Sequence, residues 1–457
     1  MKVFVDLHDV ESGECIVFHG GSSAPGGEVL MVDCGSSSRL IREGETPFFD
    51  YVRRGIMPLY GGARERSFLL THCHRDHVCG LWRILREDPG YFDRLFLPVS
   101  PAGEDGRFAL LEFALYVHLF VGRMTAYRHL NTGVLRLFRR AARAAGASRV
   151  FPIRAGDAFP FCGEEYEVLW PPESGFPFSA ELKGRLARWD GLLSEPSLPP
   201  AARTFLAGKL ELTAAYAACC RRCPAEVPSP AEVPSPAEVP SPVDARALSE
   251  AESLLRREES LVPALRLLPC AEAITAEASS RASQRIYSDA LNAASVVFQN
   301  IRRPGRGFDS RRRDVLMTGD APPETLRAVE PRLYDGYYIL KAPHHGTKSC
   351  FSPLFRDLSA AHILISSGVS GGPVAPEYTL LPGVRHCTGN SVCPRFARER
   401  SCCNRLCVCH ESAPRPGFPV SCAAAASPRR SFPCGIRVLS PAGVRACLCD
   451  RARRGEV

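Results

Sequence analysis

The segment Thr71-His72-Cys73-His74-Arg75-Asp76-His77 packs three imidazoles and one carboxylate into six residues. Such groups are expensive to bury without a partner, so packing does not account for the cluster. Imidazole with carboxylate suits zinc, and also manganese or iron. Alternate residues of an extended chain share a side, so His72 and His74 are expected to point together at the end of a strand. Asp76 and His77 then project from the following loop toward a neighbouring position.

Two cations need more donors than this segment holds. Asp320, in Leu316-Met317-Thr318-Gly319-Asp320-Ala321, sits just past an apolar run whose end can present a carboxylate. An Asp after Gly is by itself more often a turn residue; beside the first cluster it becomes a candidate ligand. His344 and His345, in Lys341-Ala342-Pro343-His344-His345-Gly346-Thr347, follow another apolar run. Pro before and Gly after them restrict the backbone sharply, as a ligand loop requires.

The elements that must position these groups are legible in outline. Strands are expected at 3–6, 14–18, 29–33, 67–71, 94–98, 149–153 and 165–170, and again at 294–298, 315–318, 338–340 and 363–365. Arg39 to Gly55 reads as a helix, Leu81 to Glu87 begins another, and 108–146 is helical in character, as are 181–220 and 244–259. Between Pro224 and Pro242 the hexapeptide PAEVPS repeats. That composition predicts an extended spacer within an insertion.

The motif order resembles the metallo-β-lactamase superfamily. The pattern His-x-His-x-Asp-His (His72 to His77) carries it, with a preceding Asp-x-Gly (Asp33-Cys34-Gly35) and the later Asp and His steps. The finer resemblance is to the hydrolase domain of the bacterial competence DNA-uptake protein ComEC and its soluble relatives. Shared with those are Leu169-Trp170-Pro171-Pro172, Asn292 to Val296, Thr318 to Ala321, Lys341 to Gly346 and Ser366-Ser367-Gly368.

The resemblance implies an α/β fold, a four-layer αββα sandwich. It would comprise 1–172 and 285–370, interrupted by the insertion at 173–284 and followed by a weakly structured Cys/Arg-rich tail at 371–457. It implies two divalent metal ions, zinc foremost, with His72 and His74 on the first and Asp76 and His77 on the second. Asp320 would bridge and His345 would be the final ligand, with His344 either a further ligand or a residue that orients substrate. Asp33 would hydrogen-bond the ligand loop from behind. The implied reaction is hydrolysis by a hydroxide shared between the metals, with Asp76 orienting the water or taking its proton.

The chain departs from the superfamily pattern twice. A further metal-binding His expected between the first cluster and the bridging Asp has no clear counterpart, His118 and His129 reading as ordinary helix-face residues. An Asn…His-Pro step expected after Ser366-Ser367-Gly368 is replaced by Pro376-Glu377-Tyr378, leaving His386 as its substitute.

The implied substrate is a phosphodiester, nucleic acid or a smaller molecule. A small-molecule lactone, thioester or amide, and a non-catalytic metal-binding module, are the alternatives. The formal charge of +8 over 457 residues is uneven, because 371–457 holds 13 Arg against 5 Asp/Glu and so carries the whole surplus. The catalytic part is therefore neutral, which gives a polyanion little general attraction. Local cations remain candidates for phosphate contact, namely Arg302, Arg303, Arg306, Arg311 to Arg313, Lys341 and Lys348.

A 45% apolar fraction is that of a globular protein. No apolar run of membrane-spanning length and no signal-peptide pattern is present, so a cytoplasmic location with no membrane partner is expected. Ten of the 20 cysteines lie between Cys387 and Cys449. Cys402, Cys403, Cys407, Cys409 and His410 could form a small zinc site, though their spacing matches no known zinc motif. Cys34, Cys73, Cys79 and Cys350 read as reduced thiols.

Overall fold

In a computed structural model the chain is described over residues 3–20, 27–41, 46–99, 134–172, 179–193, 280–302, 314–367, 374–388, 435–440 and 445–447, with isolated positions between 196 and 276. Apolar runs with β-branched and aromatic residues form β1 (Val3–His8), β2 (Ile16–Gly20), β3 (Glu28–Val32), β6 (Glu65–Leu69), β7 (Arg94–Pro98) and β8 (Val150–Ile153). With β16 (Gly435–Ser440) and β17 (Arg445–Cys447) they make an eight-stranded mixed sheet, ordered β17-β16-β1-β2-β3-β6-β7-β8.

The second sheet is seven-stranded and also mixed. It holds β9 (Ala158–Phe161), β10 (Glu164–Trp170), β11 (Val297–Asn300), β12 (Val315–Met317), β13 (Gly336–Lys341), β14 (Ser359–Ile365) and β15 (Val384–Cys387), in reverse order across the sheet. The sheets face one another across a core containing Val5, Leu7, Phe18, Leu30, Phe96, Phe159, Val168, Phe298, Met317, Ile339 and Leu364. Each such side chain contributes about 1.5–3 kcal/mol on burial, which is what holds two separately folded halves of the sequence together.

Helices cover the outer faces. α1 (Phe48–Tyr51), α2 (Met57–Tyr60), α3 (Arg75–Glu87) and α4 (Val134–Ala145) place Tyr51, Tyr60, Val78, Leu81, Ile84 and Leu137 against the first sheet. α5 (Ala180–Leu193) and α6 (Arg281–Ala293) follow, and α7 (Pro323–Val329) packs Leu326 and Val329 on the second sheet. α6 begins with Ser280 capping the amide of Ser283.

Several expected elements differ. The helix expected over Arg39–Gly55 starts only at Phe48, because Leu40–Ile41 (β4) pairs with Thr46–Pro47 (β5). Thr46 precedes a proline, which disfavours helical backbone there. The helix then runs on through a widened turn, Val52–Ile56, to Tyr60, with Pro58 in the first turn of α2, where a missing N–H is tolerated. α3 starts at Arg75 rather than Leu81, so Asp76 and His77 belong to its first turn and not to a loop. β6 ends at Leu69 rather than Thr71. β11 begins at Val297 because Ala294 still caps α6, a helix not expected from the sequence. In the stretch 371–457, β15 pairs parallel with β14 and β16 antiparallel with β1. The rest of the cysteine cluster, the PAEVPS repeat, and His118 and His129 lie outside the described residues. The described cysteines Cys15, Cys34, Cys73, Cys79, Cys162, Cys350 and Cys387 are free thiols. Among the described residues no helix is long and apolar enough to cross a membrane.

Gly35 is where backbone meets backbone. A Cβ there would lie 2.4 Å from the Asp76 carbonyl carbon and 2.5 Å from the His77 nitrogen. Gly35→Ala is therefore expected to lower unfolding free energy by about 1–3 kcal/mol, read by denaturant titration. Gly62→Ala, whose Cβ meets nothing within 4 Å, is the control; equal stability of the two variants would contradict this packing.

Candidate metal centre

The chemical groups collect where strands end. Asp33 follows β3, Thr71 to His77 follow β6, Asp320 follows β12, His344 and His345 follow β13, and Ser366 follows β14. β3 and β6 are parallel, as are β12, β13 and β14, so in each sheet these loops leave at a common end. The two ends are tied together: the Val296 amide donates to the Thr71 carbonyl at 2.9 Å, and the Ser366 hydroxyl to the Gly13 carbonyl at 2.7 Å.

The sequence-derived candidates converge. Asp320 Oδ2 lies 3.2 Å from His77 Nε2, 3.7 Å from His345 Nε2 and 3.8 Å from both His72 Nε2 and His344 Nε2. Asp76 Oδ2 is 3.4 Å from His345 Nε2, and His74 Nδ1 is 2.9 Å from His72 Nε2. Two sets, His72/His77/Asp320 and Asp76/His77/His345, each bring ligand atoms within 4.8 Å of one another. A third such set, Glu14/Asp33/His77, lies behind them.

What lies behind each ring fixes which nitrogen faces inward. His77 Nδ1–H donates to Asp33 Oδ2 at 2.7 Å. Thr71 Oγ1 donates its only proton to the same oxygen at 2.7 Å, so His72 Nδ1–H must donate to Thr71 Oγ1 at 3.1 Å. His345 Nδ1–H donates to the Ser366 carbonyl at 2.9 Å. In all three rings Nε2 is left with its lone pair toward Asp320. Nε2 of His77 and of His345 is buried without a hydrogen-bond partner, as expected of metal ligands and not of core histidines. Asp33 thus stands where the resemblance put it, behind the ligand loop, and its Oδ1 also accepts the Thr71 amide at 2.8 Å.

The backbone is strained here. Asp33, His344 and His345 have φ of 55°, 49° and 58°, a region costly for residues with a side chain. Gly319 has φ 50°, and a Cβ on it would press on Ser295 and Thr71 at 2.9 and 3.0 Å, so only glycine lets Asp320 reach the cluster.

The electrostatics are those of a crowded anionic pocket. Burial pulls His72 well below the usual imidazole value and His74 down to about 4. Burial opposes charge on His77 and His345 too, but Asp320 with Asp33 raises the first, and Asp320 with Asp76 raises the second. Asp76 and Asp320 are held well below the carboxylate range despite burial, the former mainly by His345 and His77, the latter mainly by His77 and His345. Asp33, Asp320, Glu14 and the partly exposed Asp76 face Lys341 as the one ammonium of this network. That excess of carboxylate, met by converging imidazole lone pairs, fits divalent cations.

Three groups were missed in the sequence. Glu14 is fully buried, accepts an ion pair from Lys341 Nζ at 2.7 Å, and lies 4.0 Å from His345 Nδ1. Ser288, on α6, hydrogen-bonds His74 Nε2 at 3.2 Å. Ser295 Oγ accepts the Asp320 amide at 3.1 Å. A lone Glu or Ser carries no spacing signal, although Ser295 lies within the Asn292–Val296 step.

Other expectations are corrected. Lys341 is no phosphate contact: it is fully buried, donates to the Gly319 carbonyl at 2.7 Å, and stands 3.5 Å from Asp320 Oδ1. Arg302 is taken up by Asp314 and Asp335 and stacks on Tyr334, while Arg303, Arg306 and Arg311 to Arg313 lie outside the described residues. His386 is no substitute ligand, since it pairs with His362 at 3.0 Å and joins none of the converging sets. No protein-family model matches the chain, and no curated protein matches its sequence.

Removing one partner of a buried ion pair leaves the other charge uncompensated. Lys341→Met is thus expected to cost about 3–5 kcal/mol of stability, whereas Lys348→Met, at an exposed position, leaves the unfolding midpoint unchanged. Equal midpoints for both would remove Lys341 from the network.

Proposed function

We propose that the protein is a metal-dependent hydrolase of the metallo-β-lactamase kind, with a cage for two divalent cations, zinc foremost. The observation that carries this reading is the set of imidazole Nε2 atoms at 3.2–3.8 Å around Asp320 Oδ2. Their outer nitrogens are already engaged. The two facing sheets with helices outside them support the αββα layering that the motif order implies.

In this reading His72 and His74 hold the first cation, Asp76, His77 and His345 the second, and Asp320 both. Paired cations supply Lewis acidity and bring the pKa of water toward neutrality. The protein's own part is to keep the donors in register. Asp33 and Thr71 fix the rings of His77 and His72, and the Ser366 carbonyl fixes His345. Lys341 engages Asp320 Oδ1 from behind, leaving Oδ2 to the cage. Asp76, at 23% side-chain exposure, and His344, at 31%, are the most open members and mark the side from which substrate and water arrive.

A phosphodiester, nucleic acid or a smaller molecule, is the substrate class we favour, on the motif resemblance. With Lys341 buried, exposed Lys348 is the cation of the His-His segment left to meet a phosphate. The test is a divalent-metal screen with bis-p-nitrophenyl phosphate, single-stranded DNA and a chromogenic lactone. Metal-loaded wild type is expected to turn over the phosphodiesters and Asp320→Ala none of the three, with the variant's circular dichroism unchanged. Turnover of the lactone alone would shift the substrate class. Equal turnover by wild type and Asp320→Ala would end the hydrolase reading.

A further inference from the structure

Four histidines aim Nε2 at Asp320 Oδ2, and the geometry of the fourth, His344, repeats that of the other three. Its Nδ1 is engaged from behind, here by the Cys350 thiol at 3.1 Å, and its Nε2 stands 3.8 Å from Asp320 Oδ2, the same distance as His72 Nε2. Cys350 is 5% exposed, and burial pushes its thiol up to about 11, so it meets the ring as a neutral S–H group. The Ser349 hydroxyl adds a weak contact to the same sulfur at 3.9 Å. His344 also carries left-handed backbone at φ 49°, immediately before His345 at φ 58°. Strain over two successive residues, at the end of one strand, delivers both rings to the same carboxylate. A ring needed only to touch substrate would not require its far nitrogen fixed or its lone pair aimed at Asp320.

We propose that His344 is the third imidazole donor of the first cation position, alongside His72 Nε2, His74 Nδ1 and the shared Asp320, with Cys350 as the residue that positions its ring. The inference rests on the cation-cage reading above. It gives that position three imidazoles and one carboxylate oxygen, a donor set suited to zinc or cobalt. The second position keeps Asp76, His77, His345 and Asp320. Tandem histidines then serve two different cations from one turn. The remaining histidines between His77 and Asp320 are His118 and His129, which makes them the rival suppliers of the third donor.

The test is metal content and cobalt absorption of the full chain, loaded with zinc or cobalt and freed of loose ions. His344→Ala is expected to hold one ion fewer per chain than wild type and to lose part of the cobalt ligand-field absorption. The double variant His118→Ala/His129→Ala is expected to match wild type. Cys350→Ser is expected to keep the full count but release one ion about 10- to 100-fold more readily to a chelator. Circular dichroism checks that each variant is folded, and His344→Gln is the second variant should the alanine form fail to fold. Full metal content in both His344 variants, or loss of an ion in the His118/His129 variant, overturns the proposal. Wild-type release from Cys350→Ser overturns the positioning role of the thiol. His77→Ala separates this failure from that of the cage itself: if it also retains every ion, the cage is wrong, whereas if it alone loses metal, only the role of His344 falls.

Discussion

One carboxylate oxygen, Asp320 Oδ2, sits within 4 Å of the Nε2 atoms of four imidazoles, and much of the molecule exists to hold it there. Its partner oxygen faces a lysine with no exposure to water, and that lysine is paired with an equally buried glutamate. Charge this dense survives in a protein interior only when every group has an answering one. Asp33, Thr71, Ser295, Lys341 and the Ser366 carbonyl are such answers on the protein side. The inward face, where lone pairs converge, is answered by cations.

The topology explains how residues far apart in sequence reach one point. Each sheet has a parallel stretch, β3-β6 in one and β12-β13-β14 in the other. Parallel strands release their following loops at one end, the place where open α/β sheets commonly bind ligands. Packing the two sheets through Phe18, Phe96, Phe159 and Phe298 brings those ends face to face. Starting α3 at Arg75 rather than six residues later also matters, because Asp76 then lies in the first turn of a helix, where the helix dipole favours a negative charge.

How much of this was legible depended on whether a residue belonged to a pattern. His72, His74, Asp76, His77, Asp320, His344 and His345 were all visible, because neither packing nor turn formation gathers so many donor residues at short spacing beside apolar runs. Asp33 was visible through the motif order. Glu14 and Ser288 were not, since each acts alone and its meaning comes only from a neighbour supplied by another element. Lys341 was seen but misread: a lysine beside a histidine pair looks like a phosphate contact until its burial against Glu14 is known. Among the strands, the runs at 94–98, 149–153 and 165–170 are found close to their expected limits. The segment 39–60 was harder, because a hairpin and a proline interrupt a composition that favours helix.

The cysteine-rich stretch complicates any bulk count of zinc, so the sharpest test locates the ions. Crystals of the full chain grown with zinc, with diffraction recorded on both sides of the zinc absorption edge, give that location directly. Two anomalous peaks are expected to flank Asp320 Oδ2, one on the side of His72 and His74 and one on the side of Asp76 and His345. A map with no peak beside Asp320, or with zinc only among the cysteines, would contradict the cation cage.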